Sequence, residues 1–158
     1  MGARMDLIAG DLQEILLVIG LDDLDAFDDG ARFDAHLSLG GGLDPTWLDL
    51  FAEAARTVTG SGEPADLLDA RLELDASSEA SGDRTIERID PTWITSVARL
   101  PDASIDAIAG RWIDLVEEEL GVLPREEKPW IRELAGQVVR FCRSADRAPD
   151  VLFAWSLR

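Results

Sequence analysis

Apolar residues recur along the chain in two spacings, the 3.6-residue period of a helix and the two-residue period of a strand. A strongly amphipathic helical run lies near the C-terminus. Ile131, Leu134, Ala135, Val138, Phe141 and Cys142 share one face, and Pro129 suits a first turn, where an N–H would have no intrahelical acceptor. A helix over 128–143 follows. A polar link with Pro149 then leads to Val151-Leu152-Phe153-Ala154-Trp155-Ser156-Leu157. That segment is apolar at nearly every position, the pattern of an interior strand covered on both faces.

Two more helices are expected over 44–58 and 103–120. Trp47, Leu48, Phe51, Ala54, Ala55 and Val58 stripe the first, with Asp44 as N-cap, Pro45 at the first position and Gly60 as stop. Ile105, Ile108, Ala109, Trp112, Val116 and Leu120 stripe the second, capped by Asp102 and stopped by Gly121. Strand alternation marks Phe33, Ala35, Leu37 and Leu39 against Arg32, Asp34, His36 and Ser38, which turns His36 to solvent; Gly40-Gly41-Gly42 breaks the run. Arg71 to Ala76 alternate with Leu72 and Leu74 inward. After the polar turn Ser77–Asp83, residues 85–89 return as the second arm of a hairpin.

Residues 5–21 fit either template. Leu7, Leu12, Ile15, Leu16 and Ile19 suit a helix, and the branched stretch Ile15 to Ile19 suits a strand; a helix, shortening to 10–19, is the preferred reading. Residues 93–99 form a short helix or a strand before Leu100-Pro101. The sum is one α+β domain over 1–158, with residues 1–4 disordered and helices packed on a small mixed or antiparallel sheet containing 33–39, 71–76 and 151–157. At 158 residues a single core is large enough to be stable.

Asp90-Pro91-Thr92-Trp93 repeats Asp44-Pro45-Thr46-Trp47. The flanks match at only one more apolar residue, so the repeat reads as a good helix start used twice, with Trp as core anchor, ahead of a duplicated recognition motif.

Charge changes the functional picture more than any motif does. The net charge is −17, from 32 acidic and 15 basic residues. Such a field repels nucleic-acid phosphates and anionic membranes and favours a basic protein partner. The apolar run Ile15 to Leu21 is too short for a membrane span and lacks the basic start of a signal peptide, so a cytoplasmic protein is expected. The single Cys142 makes no internal disulfide and lies on an inner helix face, where a thiol is inert.

Chemistry-bearing motifs are sparse. The acidic turn 22–30 fails the helix-loop-helix calcium template: with Gly30 at loop position 6, Phe27 falls on position 3 and His36 on position 12, where oxygen ligands are needed. His36 is the one histidine, the chain has no Tyr, and no zinc, nucleophile-elbow or phosphate-loop signature occurs. No catalytic residue, metal ligand or cofactor is assigned. Glu117, Glu118 and Glu119, late on their helix where negative charge is unfavourable, are the candidate partner-binding residues. Five Trp is high for this length; core anchoring explains most of Trp47, Trp93, Trp112, Trp130 and Trp155, and one or two at the rim are available to form a binding patch.

Trp93, Leu100-Pro101-Asp102, Arg111-Trp112, Glu117-Glu118-Glu119-Leu120 and the terminal Phe153-Ala154-Trp155-Ser156-Leu157 together resemble a family of small uncharacterised bacterial proteins. Gly42-Leu43-Asp44-Pro45 and the helix end Thr59-Gly60 look like that family's first half, although Gly41 stands where the family often has Lys. The resemblance is structural in character and implies no activity. The expected function is therefore an acidic protein-binding module, of accessory, regulatory or immunity type, acting on a basic partner. A metal-assisted carboxylate enzyme is the alternative, and it would need a deep pocket where carboxylates converge.

Overall fold

A computed structural model describes residues 4–21, 23–39, 43, 45–74 and 85–156. Five strands form one antiparallel sheet: β1 (Arg4–Gly10), β2 (Ala35–Ser38), β3 (Arg71–Glu73), β4 (Thr85–Ile89) and β5 (Asp150–Ser156), in the order β2-β1-β5-β4-β3. The chain is α+β, with five α-helices among the described residues: α1 (Leu12–Gly20), α2 (Thr46–Thr59), α3 (Pro91–Ala98), α4 (Asp102–Leu120) and α5 (Lys128–Ala145). A short 3-10 helix spans Leu24–Asp28. No helix among the described residues is long and apolar enough to cross a membrane.

The C-terminal strand is interior, as its apolar pattern requires. β5 pairs with β1 from Arg4↔Ser156 to Gly10↔Asp150 and with β4 from Thr85↔Trp155 to Arg88↔Leu152. Strand alternation then sorts the sheet into two faces. Met5, Leu7, Ala9, Ile89, Val151 and Phe153 join the main core with α2, α3, α4 and α5. Ile8, Ile86, Leu152 and Ala154 join a smaller core under α1 and the 3-10 helix, with Phe27 and Phe33.

Within residues 5–21 the preferred helical reading holds only in its shortened form, as α1 over Leu12–Gly20. Arg4 to Gly10 is a strand, so Arg4 is ordered in β1, and the helix begins only after Asp11, whose carboxylate accepts from the N–H groups of Gln13 and Glu14. The reason is tertiary: β1 lies between two partners and is covered on both faces, so it lacks the alternation that would mark it as a strand. The strand alternative for Ile15 to Ile19 fails too: the stretch is helical, and Ile15, Val18 and Ile19 are its buried stripe.

The other expected helices all form. Gly60 closes α2 at φ 71°, a left-handed conformation that glycine adopts without steric cost. Asp44 and Gly40-Gly41-Gly42 lie outside the described residues, as does the turn 77–83. Residues 93–99 resolve as α3, where Asp90 caps the N–H of Thr92 and Pro91 takes the first position. Asp102 is not a cap; it stands inside the first turn of α4 and pairs with Arg143 at 2.6 Å. Both Trp residues of the Asp-Pro-Thr-Trp repeat are buried core anchors. Trp93 Nε1 donates to the carbonyl of Ala65 at 2.9 Å, and Trp112 Nε1 donates to the carbonyl of Trp47 at 2.8 Å, fastening α4 to the start of α2.

In the β3 hairpin the inward residues differ from expectation. Leu72 is exposed and Leu74 only half-buried, while Arg71 turns in over the Phe153 ring. β3 is a short edge strand, and its alternating pattern does not by itself say which of its two faces meets the core.

Candidate functional site

The acidic end of α4 meets the start of α5. Lys128 Nζ lies 3.4 Å from Glu117 and Arg132 Nη1 lies 2.9 Å from Asp106, so the two helices run antiparallel and form a hairpin through residues 121–127. Gly121 leaves α4 at φ 104°, outside the range that other residues adopt readily.

The three candidate glutamates have different positions at this end. Glu117 turns into the connection, where it accepts from the N–H of Leu123 at 3.1 Å and pairs with Lys128. Its work is to hold the hairpin closed. Glu118 points outward, 62% exposed, with Arg111 3.8 Å away. Glu119 is exposed and has no side-chain partner among the described residues. Glu118 and Glu119 are thus the accessible carboxylates of the three.

Three apolar side chains at the two helix ends and their connection are exposed as well. Leu120 is 49% exposed, Val122 is 87% exposed and Trp130 is 39% exposed. Leu120 was expected on the inner stripe of α4, but it is the last helical residue and the core does not reach it. Trp130 was read as a core anchor; it sits at the first turn of α5, ahead of the first buried residue, Ile131. The exposed side chains of Glu126 and Glu127 lie in the same connection. One signal in the sequence did mark the place: Val122 falls outside every periodic run.

A second cluster lies across the sheet. His36, expected to face solvent, is only 10% exposed. Its Nε2 lies 2.9 Å from Asp6 Oδ1 and its Nδ1 lies 2.9 Å from Asp28 Oδ1. The polar face of β2, expected to be wet, is not. That face is the smaller core, because His36 is in register with Ile8 of that core. Burial by itself lowers the His36 pKa, but the hydrogen bonds and charges of Asp6 and then Asp28 outweigh it, and the net pKa is raised. With both ring nitrogens committed to carboxylates, neither is free to act as a base. The array is a clip that ties the 3-10 helix to the sheet.

A third cluster joins Arg71, Glu87 and Trp155. Arg71 Nη1 donates to Glu87 at 3.0 Å, and Trp155 Nε1 donates to the same carboxylate. Next to it runs a hollow of about 340 Å³ lined by Arg71, Arg88, Asp69, Asp90 and neighbours. Arg71 is held by Glu87, Arg88 by Asp150, and Asp90 caps α3. Cys142 is fully buried in the main core, on the other side of the sheet from His36, so the two never meet. Among the described residues no group of three or more His, Cys, Asp or Glu is arranged to hold a metal ion.

No family model, curated protein or solved structure matches the chain.

Proposed function

We propose that the chain is a cytoplasmic acidic protein-binding module, of accessory, regulatory or immunity type, that acts by engaging a basic protein partner. The observation that carries this reading is the outer end of α4. There Glu118 and Glu119 project into solvent at a helix C-terminus, where the helix dipole already presents partial negative charge. Each such carboxylate costs about 0.3–1 kcal/mol in isolation. A cationic partner removes that cost, so the arrangement favours binding over the free state. The −17 net charge adds a long-range field of the same sign, which speeds encounter with a basic surface and opposes approach to nucleic acid or anionic lipid.

Co-purification from native lysate followed by binding kinetics at low and high salt tests the reading. Association should slow as salt rises, because the field is screened over about 8 Å at physiological ionic strength. Glu118→Gln with Glu119→Gln should slow association more than it speeds dissociation. A salt-independent association rate would refute the proposal. A magnesium-dependent hydrolase or transferase activity, lost on replacing one carboxylate, would replace it with the enzyme alternative.

A further inference from the structure

We infer that the end of the α4–α5 hairpin is the docking surface itself, with Val122, Leu120 and Trp130 as its apolar centre, and that its partner is a basic amphipathic segment carrying a bulky apolar side chain between cationic ones. This rests on the proposed acidic-module function and adds the place and the chemistry of the contact.

Val122 is the key observation. Its neighbour Leu123 turns inward against the main core, and the Leu123 N–H donates to Glu117, so the backbone is anchored immediately beside Val122. At 87% exposure the Val122 side chain has only solvent to face. Leu120, the last residue of α4, and Trp130, in the first turn of α5, are exposed at the two helix ends that the Val122 connection joins. An apolar centre with a polar rim is the anatomy of a recognition patch, and Trp is the residue type most often dominant in one. An indole face also attracts Lys or Arg cations.

The rim decides the occupant. The bases of this end are already spent: Lys128 on Glu117 and Arg132 on Asp106. Glu119, Glu126 and Glu127 keep exposed side chains with no partner among the described residues, against Arg125 as the unpaired cation. A second copy of this chain would set the same carboxylates against each other across a two-fold interface, where like charges repel. A basic segment meets both halves of the surface, its apolar side chain on Val122 and Trp130 and its cations on the rim.

Synthetic helical peptides test this: one of Arg and Leu, one of Arg and Ser with equal charge, and one of Glu and Leu. At low salt the Arg/Leu peptide should bind at least tenfold tighter than the Arg/Ser peptide, and the Glu/Leu peptide should not bind. Val122→Ser and Trp130→Ala should each bring Arg/Leu affinity down towards the Arg/Ser value. Val122 lies outside the helices, so its variant keeps the fold, checked by circular dichroism. If both variants bind the Arg/Leu peptide as the parent does, the apolar contact is elsewhere and the inference falls while the acidic-module reading stands. If neither Arg peptide binds at low salt, both fall. If sedimentation shows the parent chain self-associating, and the variants lose that association with peptide affinity unchanged, the occupant is a second copy and the inference is overturned.

Discussion

His36 Nε2 approaches Asp6 Oδ1 at 2.9 Å, and Asp6 is the one charged residue among those described that is almost wholly buried, at 1% exposure. A buried carboxylate is costly unless a cation and hydrogen bonds compensate it. Arg4, 51% exposed, reaches Asp6 from outside at 3.3 Å, and His36 reaches it from the neighbouring strand. The imidazole has a proton for both Asp6 and Asp28 only when it is charged.

A pH dependence follows from that geometry. The folded pKa of His36 lies above its unfolded value of about 6.5. The stabilisation is therefore complete below that value and is lost as pH rises through the higher folded pKa. Urea unfolding of the parent chain and of His36→Gln, measured from about pH 6 to pH 9, reads the difference. The parent's advantage should shrink with rising pH. A constant difference across that range would mean that His36 is not charged in the fold.

Glu87 is the next point of weakness. The Arg71 and Glu87 side chains are 6% and 13% exposed, so they compensate each other away from solvent. Glu87→Gln keeps an acceptor for Trp155 and leaves Arg71 without its counter-charge. Breaking a buried pair in this way should cost about 3–5 kcal/mol. Arg71→Met combined with Glu87→Gln should recover most of that loss, since no lone charge remains. Equal instability of single and double variants in urea unfolding would assign the cost to packing instead.

Phe141 tests the main core. Trp112, Val138 and Phe141 are buried in it, whereas Trp155, expected with them, is only half-buried and packs at its edge. Phe141→Ala should cost about 3–5 kcal/mol, read as a lower urea midpoint at unchanged slope. An unaltered midpoint would contradict the packing.

Cys142 should resist thiol reagents in the folded chain. It is fully buried, and desolvation, with a smaller contribution from the charge of Asp146, drives its pKa upwards, so almost no thiolate is present at neutral pH. Labelling should proceed only as fast as the core opens. Rapid stoichiometric labelling under native conditions would contradict this placement of α5.

The helices over 46–59, 102–120 and 128–145 and the interior strand 150–156 were legible because each carries a long period or an unbroken apolar run. Such stripes state what must be buried whatever the partner. The acidic end of α4 was legible for a similar reason: charge is additive along a sequence and needs no fold to be counted. The exposed pair Glu118 and Glu119 remains where the linear reading put it, although Glu117 turned out to close the hairpin.

What the sequence by itself determined, then, is the class of fold, the position of the long elements and the sign of the surface. Tertiary structure alone decided which polar residues went inside. His36 and Arg71 lie on strands whose alternation looks half-wet, and only the pairing of β2 with β1 and of β3 with β4 placed them against a core. The reverse holds for Leu120 and Trp130, apolar by type, and Leu120 periodic in place, yet beyond the reach of the core at the hairpin's end. A period records which side of an element is apolar. It does not record how far the neighbouring element extends, or which charged group stands across from a buried one. Those depend on strand register and helix length together, which are set only when the whole chain has packed.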